Sequence, residues 1–479
     1  MITITKKFVN KTITYAGGKC MLQEKIDTYI QQEKRLTGAI AGIHIIDQET
    51  AETIYHHNED IRLHPASNMK LLSGAAALIE LGEDYTFQTK LAYDGSIDKD
   101  VLNGDIYIQG KGDPTLLPKD IEAFARVLQS LGVTQINGNV YVDDFHYDDV
   151  RLSPGLVWND QPYYYGSQIS ALTVSPNEDY DTGTVCLTID PANTEGKPPA
   201  IKSYPQTSYV HIQNSAVTGE ERTEPLEESE LEIDRVHGKN HIILSGSIPL
   251  KGETEKIWVS VWEPSLYVGT LLKEALARKG VMTQGAVERR KTPHSVSVLE
   301  EKTSMPLKEI LIPFMKLSNN GHGEMFVKEL GKINQGIGGW EEGLEEVMKA
   351  LRPFGITQEN ADVRDGSGLS HATTISAEAF TNFLYHIQSA EWFPSFYESL
   401  PIAGEADPMI GGTLHERMEG IDVHAKTGTI DGVSTLSGYV TTANRKKYIV
   451  SILLNNVHGD QDETIKEVED EIIRMLDNA

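Results

Sequence analysis

The chain has 479 residues, of which 39% are hydrophobic and 24% charged, and its 70 acidic against 43 basic residues give a formal charge of −27 at pH 7. Nucleic acid and anionic membranes both need a positive surface, so neither is expected as a partner; small or neutral substrates stay open. No apolar run approaches the ~20 residues that span a bilayer, so no transmembrane segment is expected, and the length predicts about two to four domains.

The first residues, "MITITKKFVNKTITYAGGKC", hold lysines but no continuous apolar segment of the length a signal peptide needs. Met21, just downstream of Gly17-Gly18, is an alternative start to Met1. Residues 21 to 36 place Leu22, Ile26, Tyr29 and Ile30 on one side of a predicted helix. Alternating apolar and polar residues then predict a hairpin turning at "DQET". A second helix follows from "HPASNMKLLSGAAALIELG", whose leucines and alanines cover too much of its surface for it to face water. From about 90 to 290 the chain changes to short strand-like runs such as "GDIYIQGKGD", "TVCLTID" and "HIILSGSI", with the acidic stretch 215 to 235 read as an exposed loop. Helical patterns return at "SLYVGTLLKEALARKG", "PLKEILIPFMKLSNNGHGEMFVKELG" and "EEGLEEVMKALRPFG". Near the end, "TLSGYVTTANRKKYIVSILLNN" predicts two buried strands, and a last helix sets Ile465, Val468, Ile472 and Leu476 against a sheet, with acids opposite. Cys20 and Cys186 are too few for a disulfide framework or a paired-cysteine metal site, which leaves one bridge open.

A lysine inside so apolar a helix is costly unless something uses it. Ser67 and Lys70 stand at i and i+3 near the helix start, where an amine can take the serine proton and the helix N-terminus favours developing negative charge. Ser-x-x-Lys alone is common. Two further stretches raise its meaning: Ser318-Asn319-Asn320 between two helical runs, and Lys426-Thr427-Gly428-Thr429 directly before the terminal hairpin. Together and in this order, SxxK, SxN and KTG mark penicillin-binding proteins and serine β-lactamases.

From about residue 36 onward the chain resembles the penicillin-binding D-alanyl-D-alanine carboxypeptidase/endopeptidase family that carries a large insertion between SxxK and SxN. The stretches "GKGDPTL", "VWNDQPYYYGSQISALTVSPN", "DGSGLS" and "TGTIDGVSTLSGY" support the likeness, as does the long interval from Lys70 to Ser318. The resemblance implies an α/β, penicillin-recognising serine transferase/hydrolase fold, with an antiparallel sheet between helices and inserted β-rich domains. Residues 21–90 and 291–479 would form the catalytic domain. Residues 91–290 would form the insertion, in two subdomains with the second near 180–245. It also implies peptidoglycan stem peptides as substrates, acylation by β-lactam antibiotics, and no metal or organic cofactor. Ser67 would be the nucleophile, Lys70 its base, Ser318 a proton relay and Asn320 a holder of the substrate amide. Lys426, Thr427, Gly428 and Thr429 would receive the terminal carboxylate, the Thr429 and Ser67 N–H groups forming an oxyanion hole. Asp160 and Tyr165 would receive the amino end of a side chain such as diaminopimelate. Burial and nearby Lys426 would lower the Lys70 pKa. His371 departs from the family pattern, which has arginine there, and implies an amidated or otherwise altered stem peptide; His424 stands where a basic residue is usual. The resemblance places the work in the cell envelope or outside the cell, whereas the missing export signal leaves a cytoplasmic action on precursors open.

Four other readings are weaker. A class A β-lactamase needs a deacylating glutamate followed four positions on by asparagine, and none lies between Lys70 and Ser318. "DGSGLS" has aspartate at 365 where a GxSxG elbow needs glycine, so Ser367 is expected in a turn beside the site. His56, His57 and His64 lack an HExxH pattern and are expected at the surface. A catalytically silent wall-binding protein is disfavoured because every reactive side chain is present.

Overall fold

The computed structural model describes residues 17–220, 229–459 and 464–479, the first four by backbone alone. Met1 and any pairing of Cys20 therefore lie outside what is described; Cys186 is buried in the strand Thr184–Asp190.

Both ends of the chain meet in one five-stranded antiparallel sheet. Its order runs Thr53–His57, Ile40–Asp47, Lys447–Asn455, Val433–Thr441, Asp422–Ile430. Every residue of 448–455 is buried, because helices cover both faces of the sheet. Val450, Ile452 and Leu454 join a core with the helices Gly17–Gln32 and Lys466–Asp477; Ile449 and Leu453 join the core on the other side. Ile465, Val468, Ile472 and Leu476 are buried as the periodicity predicts. Two of the acids opposite are buried as well: Glu469 accepts from Ser434 Oγ at 2.7 Å, and Arg417 reaches both Glu469 and Asp470.

The helix Met69–Leu81 lies in the second core against Leu307–Lys316, Asn320–Gln335 and Trp340–Leu351. Gly74 permits the approach, since a Cβ there would stand 2.8 Å from Met315 Cε. The helix stops at Gly82, whose φ of +83° suits glycine.

Between these halves, Gln88–Tyr93 pairs with Ile106–Gly110 on one side and with Ser297–Thr303 on the other. That sheet runs from Gln88 to Thr303, past both bounds of the 91–290 expected for the insertion. The region also holds a three-stranded sheet, Ala200–Tyr204, Thr184–Asp190 and Glu255–Ser260, a four-stranded one around His241–Ile248, and a small four-stranded one of Met282–Thr283, Gln135–Ile136, Val101–Asn103 and Ser96–Asp98. Two details correct the sequence reading. Glu230–Arg235 is a strand on His241–Ile248 and not loop, because Ile233 is buried there; residues 221–228 lie outside the described residues. Pro118–Ser130 is a helix inside the strand-rich region, opened by proline and by Asp120 accepting the Leu117 N–H at 2.9 Å, with Ile121, Phe124, Ala125 and Leu128 buried.

Candidate active site

Ser67 sits in the tight turn Ala66–Asn68 that leads into the 69–81 helix. The turn is entered through Ala66 at φ +44°, a left-handed conformation costly for a residue with a side chain. The sheet holds it there. Thr435 Oγ1 donates to Pro65 O at 2.9 Å, and Asn455 bonds both the N–H and the carbonyl of His64 at 2.8 and 3.1 Å.

One turn on, the Lys70 side chain is fully buried. Its Nζ donates to Ser67 Oγ at 2.7 Å, to Asn320 Oδ1 at 2.7 Å and to the Ser367 carbonyl at 3.1 Å. Burial lowers its pKa to about 7, opposed by the carboxyls of Asp365 and Glu324. Lys426 is not among the causes, contrary to the sequence expectation. Lys426 is also fully buried, and burial and then Lys70 hold its pKa well below the lysine range.

Ser318 links the helices 307–316 and 320–335 and takes φ +63° to do so, strain of roughly 1–2 kcal/mol for a non-glycine residue. That reversal puts Ser318 on the cleft wall and Asn320 beside Lys70. The inserted region braces both neighbours: Asn319 Nδ2 donates to Asp179 O at 2.8 Å and to Asp181 Oδ1 at 3.0 Å, while Asn320 Nδ2 donates to Tyr165 O at 3.0 Å.

Beneath Lys70 lies a buried layer that motif reasoning did not find. Glu324 accepts from the N–H groups of Gly366 and Ser367 at 3.0 Å each, from Ser367 Oγ at 2.6 Å and from Trp340 Nε1 at 2.7 Å. Asp365 accepts from Thr373 Oγ1 at 2.6 Å and Ser370 N at 2.9 Å, and burial together with Glu324 raises its pKa. These carboxyls shape the "DGSGLS" turn so that Ser367 offers its carbonyl to Lys70. The only sequence trace of Glu324 is its place one turn after Asn320, on the same helix face.

The strand 422–430 is the sheet edge facing the cleft, pairing through 427–430 only with 433–436. An edge leaves backbone groups free to pair with an incoming extended chain. Gly428 decides how near that edge lies to the serine: a Cβ there would stand 2.7 Å from Ser67 N and 2.3 Å from Thr435 Oγ1. Thr427 Oγ1 donates to Thr413 Oγ1 at 2.6 Å.

Ser67, Ser318, Asn320, Thr427, Gly428, Thr429, Asp160 and Tyr165 all line one open cleft of about 410 Å³, with Lys70 and Lys426 buried beside it. The Tyr165 hydroxyl is 3.5 Å from Asp160 Oδ1. His371 and Asp431 share the cleft; burial and then Asp431 raise the Asp160 pKa, whereas Tyr165 and His371 lower it. Asp431, at the turn after KTG, carried no motif signal. His424 does not line the cleft: it stacks on Tyr397 at 4.5 Å and lies 3.2 Å from Asp422. His56 pairs with Glu59, and His64 lies 3.2 Å from Thr373 O.

An antiparallel sheet between helices, with a serine and a buried lysine hydrogen-bonded at its edge, is the fold of the penicillin-recognising serine hydrolases. The D-Ala-D-Ala carboxypeptidase 3 (S13) family model matches residues 22–479, and the chain belongs to that family: it is a serine-type D-Ala-D-Ala carboxypeptidase acting on peptidoglycan. A D-alanyl-D-alanine carboxypeptidase of Actinomadura sp. (strain R39) is 40% identical over 445 residues, 91% of this chain and 81% of the relative. Another, from Haemophilus influenzae, is 24% identical over 403 residues, 83% of this chain and 81% of the relative. The crystal structure of penicillin binding protein 4 from Haemophilus influenzae superposes with a TM-score of 0.79 at 22% identity, covering 94% of this chain and 99% of that one. Among the described residues, no helix is long and apolar enough to cross a membrane.

Proposed function

We propose that Ser67 is the nucleophile and neutral Lys70 its base. The observation that carries this is the Lys70 Nζ held 2.7 Å from Ser67 Oγ while a second 2.7 Å bond to Asn320 fixes its direction. Lys70 takes the hydroxyl proton, Oγ attacks the carbonyl of the penultimate D-Ala, and the Ser67 and Thr429 N–H groups receive the oxyanion. The proton passes through Ser318 to the departing D-Ala amine as the C–N bond breaks; water then releases the shortened peptide from the acyl-serine. Lys426, Thr427 and Thr429, with Gly428 allowing close approach, take the terminal carboxylate, and Asn320 holds the substrate amide.

Asp160 and Tyr165 take the amino end of the stem-peptide side chain, with Asp431 adding a second carboxylate. His371 offers no guanidinium to a side-chain carboxylate, which favours an amidated or otherwise altered stem peptide. The place of action is outside the cytoplasmic membrane, where finished peptidoglycan lies, and β-lactams acylate the same serine. An endopeptidase action on cross-links is the second reading: a predatory endopeptidase of Bdellovibrio bacteriovorus shares the fold, with a TM-score of 0.51 at 15% identity.

Intact-protein mass spectrometry after incubation with benzylpenicillin tests the reading. One stable adduct on the wild type and none on Ser67→Ala is the expected result. Consumption of penicillin without an adduct favours a β-lactamase, and neither adduct nor consumption favours a silent scaffold.

A further inference from the structure

We propose that the exposed aromatic shelf on the loop from Val157 to Gly166 is a saccharide subsite that seats the glycan strand carrying the stem peptide. The inference rests on the carboxypeptidase reading of the cleft and extends it beyond the peptide.

Trp158 is 64% exposed, and Tyr164 and Tyr163 are 44% and 37% exposed on the same loop. Soluble proteins seldom group large bare aromatics without a ligand for them. The group is held rigidly. Trp158 packs on His237 with ring centroids 4.3 Å apart, His237 packs on Trp262 at 5.1 Å, and the Arg235 guanidinium lies over Trp262 at 5.4 Å. Tyr163 stacks on Tyr165 within 6° of parallel. The loop backbone is tied inward: the Gln161 carbonyl accepts from Arg235 Nη2 at 3.0 Å, and the Pro162 carbonyl accepts from Ser260 N at 2.9 Å. A surface fixed before binding loses little entropy when a ligand docks.

The shelf is also continuous with the cleft, because Val157 and Tyr164 line it. With the terminal carboxylate at the KTG strand, the rest of the peptide must leave past the opposite wall, which is this loop. The glycan to which that peptide is attached then lies beyond it. The chemistry of the shelf selects a sugar over a second peptide strand. An added strand needs free backbone groups along an edge, and here Gln161 and Pro162 spend their carbonyls inward. A pyranose needs a flat apolar face for its C–H groups and polar groups at the rim for its hydroxyls. Trp158 supplies the face; the exposed His237 and the hydroxyls of Tyr163 and Tyr164 supply the rim.

The test compares wild type with Trp158→Ala on three substrates: a free stem pentapeptide, the same peptide on an oligosaccharide of at least two disaccharide units, and a glycan-free cross-linked peptide dimer. The expected result is unchanged kcat/KM on the free peptide and unchanged benzylpenicillin acylation, with a loss of about tenfold confined to the glycan-bearing substrate. Quenching or shift of tryptophan fluorescence by N-acetylglucosamine oligomers in the wild type, absent in Trp158→Ala, is expected alongside. Equal losses on all substrates, no loss on any, or a loss on the cross-linked dimer would each overturn the subsite. Failure of the wild type to cleave the free peptide or to form the penicillin adduct would instead overturn the reading of the cleft.

Discussion

At the residue scale, the pKa of Lys70 sets the pH dependence. In the proposed mechanism its neutral form is the base, so acylation should rise with pH through about 7. Glu324 holds that pKa up, so Glu324→Gln should move the rising limb to lower pH, read from penicillin acylation rates across pH; a limb that stays in place would separate Glu324 from Lys70. Lys70→Ala should lower acylation by about 10²-fold or more. Lys426 starts with a depressed pKa, and an anionic substrate beside it must raise that value. Binding an acyl-D-Ala carboxylate should therefore be linked to proton uptake, visible as a calorimetric enthalpy that changes with the buffer. The residues of the three motifs were legible because each motif is contiguous and chemically odd where it stands, a lysine among leucines above all. Glu324 and Asp431 were not. Their meaning depends on which turn and which loop fold against them, and nothing local to either residue records that.

At the scale of elements, the cleft depends on two strained turns and one bare edge. Gly428 keeps the edge close to Ser67 N, as the proposed oxyanion hole requires. Gly428→Ala should cost about 10²–10³-fold in acylation while the protein stays folded, by circular dichroism and melting. The terminal helix is pinned by charge as well as by apolar packing. Glu469→Ala would leave Ser434 and part of the Arg417 guanidinium unpaired in the interior, and should destabilise by about 3 kcal/mol in urea titration. Periodicity gave the serine helix, the terminal hairpin and the last helix, whose patterns run long. It missed the 118–130 helix, which lies among short strands and whose apolar stripe has only four fully buried members. It also read 230–235 as loop, because four of those six residues are charged and a single buried isoleucine carries the inward face.

At the scale of the molecule, the −27 charge is the dominant long-range term. Self-repulsion destabilises the compact state and salt screens it, so the melting temperature should rise with sodium chloride at neutral pH. A fall would mean that specific ion pairs outweigh the net charge. The architecture was legible in outline, as an insertion splitting an α/β unit. What the sequence hid was how far the insertion belongs to the site, through the Tyr165 carbonyl on Asn320 and the Asp179 and Asp181 contacts to Asn319. These bonds join residues well over a hundred positions apart, and no local pattern encodes them.

The strand 447–455 lies between the N-terminal hairpin and the rest of the sheet, and its Asn455 clasps His64 just ahead of the nucleophile. During synthesis Ser67 emerges hundreds of residues ahead of the strand that sets its turn. The nascent chain therefore carries Ser67 without the clasp on its turn until the strand 447–455 pairs with Ile40–Asp47.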